Sequence, residues 1–328
     1  MPEDTSITSS MNEAAIEIFD EIIGMIDALN GEVHETKLGP IVVDLGVDVH
    51  GGYQAGQYIS QVCLGGLGEV SFQLKQYGEY NLPMITIVTD YPAEATLGSQ
   101  FAGWSIEKEK YKAMASGPAR ILARKPKHLF DKLPINEEID ETVIVLESEE
   151  LSTDSVLTYI AEKCGVSLEN LYVLVAPTTS IAGSTQIAGR SVETALHKLF
   201  DLGMDVRTIV SAYGIAPVSP VHYGNSDLMM GRTNDMLIYG SDVYLQIDYP
   251  NEKELVDYIS KASSKTSPSY GTLFYDMVKK VQGDFYKIDS AIFAPAKLMV
   301  NSVQTGKTYL YGTINHEMIA KSINFVPK

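Results

Sequence analysis

Cysteine is nearly absent from this chain. Its 328 residues include only Cys63 and Cys164, neither in a CxxC spacing nor beside a histidine cluster. That excludes a disulfide scaffold and a zinc knuckle. Cys63 lies in an apolar helical stretch and reads as a small core residue. Positive charge is also scarce: Lys plus Arg is 25 against 42 for Asp plus Glu, a net charge of −17. Such a chain repels nucleic acid and anionic membrane surfaces except at a local basic patch, and its acidity suits a salty cytosol. Apolar runs such as MITIV and VIVL are far too short to span a bilayer. The opening MPEDTSITSSMNEAA lacks the basic region of a signal peptide. The expectation is a soluble, cytoplasmic protein with no nucleic-acid or membrane partner.

Several catalytic signatures are missing too. There is no G-x-x-x-x-G-K-[ST] phosphate loop, no G-x-G-x-x-G at a strand–helix junction and no GxSxG elbow. His316-Glu317 cannot open an HExxH motif, because position 320 is alanine, and the six histidines are scattered. No metal and no cofactor is expected, which leaves acid–base work on a bound substrate.

The composition is otherwise ordinary for a globular chain: 45% hydrophobic, 9% aromatic and 20% charged. The length suffices for two domains with separate cores. After a tail over 1–12, AAIEIFDEIIGMIDALN has helical spacing with Gly31 beyond its end. IVVDLGVDV, EVSFQLKQY, LPMITIVTD, ETVIVLESEE, ENLYVLVAPTTS, RTIVSAYGIAP, DMLIYGSDVYLQID and KTYLYGTIN predict strands. SVLTYIAEKCG, NEKELVDYISKASS and YGTLFYDMVKKV predict helices. Strands and helices mix without strict alternation, so the fold class is α+β. The expected division is a first α+β domain over 1–135 and a second over 136–328, with the C-terminal segment able to return to the first.

One internal similarity stands out. IVVDLGVDVHGGYQAGQYISQVCLGGL and LYVLVAPTTSIAGSTQIAGRSVETALHKL each run strand, Gly-containing turn, helix. Aligning Ala55-Gly56 with Ala188-Gly189 sets Gln57 opposite Arg190 and Ser60 opposite Glu193. As a duplication, this expects two related halves enclosing an interdomain pocket. Arg190 and Glu193 stand three apart on a predicted helix and share a face, with His197 a turn further on. By spacing alone they read as a solvated surface pair. The small, apolar surroundings IAGSTQIAG and TAL make a cleft an equal reading.

Other segments carry candidate ligand contacts. MASGPARILARKPKHLFDK concentrates positive charge, with Ser116 as a helix cap and Arg120 in the first turn, an arrangement suited to an anion or equally to a solvated face. Thr89 and Asp90 end a predicted strand before small residues, where turn chemistry and ligand contact are equal readings. Thr233, Asn234 and Asp235 precede what reads as a strand.

Taken together, CLGGL, TDYPAEATLGSQ-x-AGW, ASGPARILARKPK, LVAPTTSIAGSTQIAGRSVET, YGIAPVSP, TNDMLIYG, FYKIDSAIFAPA and NSVQTGKTY resemble, in order, the methenyltetrahydromethanopterin cyclohydrolases, from about Asn12 to Ile323. The resemblance implies two α+β domains around a pocket, a homotrimer, an archaeal enzyme of one-carbon metabolism and methanogenesis, and no metal or prosthetic group. The implied reaction is reversible hydrolysis of the cationic N5,N10-methenyl carrier to the N5-formyl form. The family's R-x-x-E pair falls on Arg190 and Glu193, and Thr89, Asp90, Ser99, Gln100, Ser116 and Arg120 are the substrate-binding candidates, Arg120 for the anionic tail of the carrier. One departure is Phe101, where the SQ-x-AGW motif of the family carries lysine. The competing readings are another tetrahydromethanopterin enzyme, a dehydrogenase or formyltransferase, and a non-catalytic acidic interaction protein with Arg190 and Glu193 on open solvent.

Overall fold

The computed structural model describes residues 10–77, 79–282, 287–324 and 326. In chain order the elements are α1 (Met11–Gly24), β1 (Glu32–Glu35), β2 (Ile41–Asp44), α2 (Tyr53–Cys63), β3 (Glu69–Tyr77) and β4 (Tyr80–Thr89). A π-helical segment, Ala93–Gln100, leads to β5 (Trp104–Lys108), β6 (Tyr111–Ser116), α3 (Ala119–Ala123), α4 (Lys127–Phe130) and β7 (Thr142–Glu147). Then come α5 (Asp154–Cys164), β8 (Leu171–Val175), α6 (Ile181–Ala188), α7 (Ser191–Asp201), β9 (Ile209–Pro217) and α8 (Ser226–Gly240). The chain ends through β10 (Asp242–Ile247), α9 (Glu252–Ile259), α10 (Phe274–Lys280), β11 (Lys297–Ser302), β12 (Thr308–Gly312) and α11 (His316–Ser322). This is an α+β fold.

The strands form two six-stranded mixed sheets, β1-β2-β8-β7-β6-β5 and β12-β11-β10-β9-β4-β3. In the first, β2, β8 and β7 run parallel. Helices cover both faces of these strands, which is why β7 reads VIVL without alternation. Val143 and Val145 face α1 and α2, beside Phe19, Ile22 and Ile59. Ile144 and Leu146 face α5, beside Val156 and Ile160. The second sheet is likewise two-faced: Ile85 and Ile87 pack toward Val192, Leu196 and Leu199 of α7, while Leu82 and Met84 pack toward Met236, Phe274 and Ile319 of α8, α10 and α11.

Residue 135 lies between β6 and β7, which are paired in one sheet. The sheets therefore do not divide the chain at the expected boundary: the first draws strands from 32–44 and 104–175, the second from 69–89 and 209–312. The C-terminal strands β11 and β12 join the sheet that holds β3 and β4. The similar strand–turn–helix units do not face each other from separate halves. Their strands β2 and β8 are parallel neighbours, and α2 packs on α6. A Cβ at Gly56 would lie 2.4 Å from Thr185 Cβ and 2.7 Å from the Ala182 carbonyl oxygen, so glycine lets the helices cross.

Two local expectations are corrected. Residues 1–9 of the proposed tail lie outside the described residues, but Ser10 caps α1, its Oγ accepting from the Asn12 and Glu13 N–H groups, and Asn12 is buried. The stretch DMLIYG is not strand: it completes α8, and β10 starts at Asp242. Tertiary packing of Met236, Ile238 and Tyr239 against α10 and α11 decides for helix over the β propensity of the segment.

Candidate functional site

The site lies where α2, α6, α7 and the π-helical segment meet between the sheets. The segment IAGSTQIAGRSVETALHKL is not one helix. It breaks at Gly189–Arg190, with Arg190 at the N-cap of α7 in a non-helical conformation (φ −91°, ψ 14°). The two side chains do not meet within ion-pair distance. Arg190 reaches back along α6, its Nε and Nη2 donating to Gln186 Oε1 at 3.2 and 2.9 Å. Its Nη1 donates to the Gln100 carbonyl oxygen at 2.6 Å, and Nη2 also donates to Ser116 Oγ at 3.2 Å. Glu193 stands in the first turn of α7, where the helix dipole favours a carboxylate.

Arg190 and Glu193 are 6% and 7% exposed. They are not a solvated pair, and the acidic interaction reading that needed them outside does not fit. They are not an ion pair either: among the described residues Glu193 has no salt bridge and no hydrogen bond. Burial pushes the Glu193 carboxyl above the ordinary carboxylate range, opposed by the charges of His197, Arg190 and Arg120. His197 stacks on Phe101, ring centroids 4.5 Å apart.

Arg120 serves a use different from the expected anion site. It is 0% exposed, and its guanidinium donates to the carbonyl oxygens of Leu97, Gly98 and Ser99, the last turn of the π-helical segment. These acceptors are helix-terminal carbonyls without intrahelical partners. Burial lowers its pKa to about 9, with Glu193 acting in the opposite sense. The short helix α3 starts after Pro118 with no side-chain cap, so Ser116 does not cap it; Ser116 ends β6 and accepts from Arg190.

The structure thus gathers Arg190, Glu193, Ser99, Gln100, Ser116 and Arg120. It does not bring in Thr89 and Asp90 by contact. Thr89 Oγ1 donates to the Leu67 carbonyl and accepts from the Tyr91 N–H, and exposed Asp90 accepts from Ser211 Oγ. The Thr89–Tyr91 bond is turn chemistry, whereas Asp90 is met by a side chain of β9. Two surface cavities, about 290 Å³ beside Lys132, Phe200 and Arg207 and about 220 Å³ beside Ile121, Arg124 and Glu137, include neither Arg190 nor Glu193. The expected interdomain pocket is not one of them.

Two partners were not legible in the sequence. Gln186 holds Arg190, and its Nε2 donates to Glu147 Oε2 at 3.3 Å; Glu147 also accepts from Thr178 Oγ1. Gln186 stands four residues before Arg190, a spacing that only suggests contact on a helix. Glu147 comes from another sheet strand and carried no signal. Around them Ser99 Oγ, Gln100 Oε1, Arg120 Nε, Thr185 Oγ1 and Ser191 Oγ are buried without a hydrogen-bond partner among the described residues. Such groups cost free energy unless water or a ligand meets them.

These polar atoms and the Glu193 carboxylate are gathered in one buried place. Residues 10–323 match the model of the cyclohydrolase (MCH) family. The methenyltetrahydromethanopterin cyclohydrolase of Methanospirillum hungatei is 43% identical over 97% of this chain and 99% of its own length. That of Methanocorpusculum labreanum is 44% identical over 95% and 98%. That of Methanocella arvoryzae is 44% identical over 96% and 98%. With a buried Arg–Glu constellation inside a match that runs almost end to end, the chain belongs to the cyclohydrolase (MCH) family.

Proposed function

We infer that this cyclohydrolase hydrolyses methenyltetrahydromethanopterin to the formyl form, with Glu193 as general base. The methenyl carbon sits between two nitrogens that share a positive charge, so it is already electrophilic. The reaction as drawn needs one aimed water and a proton acceptor, and no added cofactor or metal. Glu193 takes a proton from the water as its oxygen bonds to the carbon. The proton then passes to the departing N10 as the C–N10 bond breaks, and the hydroxyl proton leaves as the formyl C=O forms. The balance is cation plus water to formyl product plus one proton.

The observation that carries this reading is a buried carboxylate with no hydrogen bond beside two guanidiniums that bond only to neutral acceptors. A pKa raised by burial makes Glu193 a stronger proton acceptor, and the neighbouring cations oppose that rise. Its negative charge also attracts the cationic substrate, and it must gain further in the transition state to raise turnover. Gln100 Oε1 and Ser99 Oγ, buried and without partners, are substrate or water contacts. Arg120 shapes the π-helical segment that presents them.

The test is the absorbance decay of the methenyl carrier with chelator-treated enzyme and no added cofactor, with Glu193→Gln as control. Glu193→Gln lowers kcat by roughly 10²–10⁴-fold, the usual worth of a general base. Near wild-type kcat in that variant ends the assignment. A dehydrogenase or formyltransferase would show no decay without its co-substrate. The chain acts as a homotrimer in this reading. An exposed apolar row across the second sheet, Val88, Tyr213 and Leu310 with Tyr244 and Met299 between, supports association of copies. Light scattering at three chain masses is expected.

A further inference from the structure

We propose that Gln186 is a positioning residue that tethers Arg190 away from Glu193 and so keeps the catalytic carboxylate free. The inference rests on the reading of Glu193 as general base. At three residues apart, an arginine and a glutamate on one helix would close into an ion pair. A base closed on a guanidinium loses lone pairs and basicity that it needs for the attacking water.

Here the helix break and Gln186 prevent that closure. Gln186 is 2% exposed and accepts from two nitrogens of Arg190 through one oxygen. Its amide orientation is settled from both sides. Arginine only donates, so Oε1 faces it; the Glu147 carboxylate only accepts, so Nε2 faces that. The remaining Arg190 acceptors, the Gln100 carbonyl and Ser116 Oγ, are also neutral. A neutral amide therefore holds the guanidinium in place and keeps Glu147 one residue away from it. The cation is anchored without being neutralised, and its field still reaches Glu193. The charged groups that bear on Glu193 are His197 and Asp201 on α7, Arg190 at the break and Arg120 on α3.

Two substitutions at this position act in opposite directions. Gln186→Met keeps the volume and removes the acceptor, so Arg190 closes on Glu193. Turnover falls about tenfold or more with KM little changed, and the acid limb of the kcat–pH profile moves down by about one pH unit. Gln186→Glu keeps the acceptor toward Arg190 but turns its other oxygen on the Glu147 carboxylate, so added negative charge sits on Arg190 and weakens its pull on Glu193. Turnover again falls, and the acid limb moves up by a similar amount.

The experiment measures kcat, KM and the pH profile for both variants beside Glu193→Gln, with circular dichroism confirming the fold. Opposite limb shifts support the tether. Limbs that stay in place, or move together, overturn it even if kcat falls, because damaged packing has no reason to move a titration. If Gln186→Met does not fold, the upward shift in Gln186→Glu decides alone. If Glu193→Gln keeps its turnover, the general-base reading falls and this inference with it. If Glu193→Gln is inactive and the limbs do not move, only the tether falls.

Discussion

At the scale of single residues the deciding feature is how buried charge is satisfied. Arg120 shows it most plainly. Its place in a basic stretch suggested an anion site, yet the guanidinium is sealed and donates to three carbonyls of the π-helical segment. Phe101 and Phe130 lie within cation–π reach of it, at 5.4 and 5.6 Å. Arg120→Met removes these donors from the buried Leu97 and Gly98 carbonyls, while Ser99 keeps the Gly117 N–H. Hydrogen bonds from charged groups contribute about 1.5–3 kcal/mol each, and they are not additive here. A loss of about 3 kcal/mol or more in urea unfolding is expected; a midpoint equal to wild type contradicts the role. Glu193 is the opposite case, a buried acid left without a partner. Glu193→Gln removes a desolvated charge, so its thermal midpoint should equal or exceed wild type while turnover collapses. A fall in midpoint would show Glu193 to be structural.

At the scale of elements, packing of helix on helix sets both the site and a pH response. Asp235 of α8 is buried, accepts from the Phe274 N–H and Ser322 Oγ, and so joins α8 to α10 and α11. Burial raises its pKa from the ordinary 3.8 to about 7, against the lowering effect of those hydrogen bonds. An acid with a raised folded pKa binds its proton more tightly when folded. Its stabilising effect is therefore complete below about 3.8 and is lost as pH rises through about 7. Wild type should lose thermal stability across that window, and Asp235→Asn should flatten this part of the curve. Parallel curves for the two proteins would refute the assignment. The α2–α6 crossing gives a second prediction. Gly56→Ala places a methyl against Thr185 and the Ala182 carbonyl, and overpacking of this kind costs about 1–3 kcal/mol. Because α6 carries Gln186 at this end of the site, the variant should lose turnover as well as stability.

For the whole molecule, a net charge of −17 makes self-repulsion a general destabilising force. Added KCl, from about 0.01 M to about 1 M, shortens the Debye length from about 30 to about 3 Å and should raise the midpoint. A midpoint independent of salt would show that the acidic groups are already compensated. What the sequence determined by itself was local: the apolar runs of β4, β7, β8 and α5, the Gly165 stop of α5 in the left-handed region, and the motifs that carry the family resemblance. These follow from patterns of a few neighbouring residues. Only the tertiary structure decided which strands share a sheet, that DMLIYG is helical, and that Arg190 is held by Gln100 and Ser116 as well as by Gln186. The first two outcomes and the Gln100 and Ser116 bonds depend on contacts between segments tens of residues apart, where the cost of burying a charge outweighs any local preference and depends on which acceptors the fold brings near it.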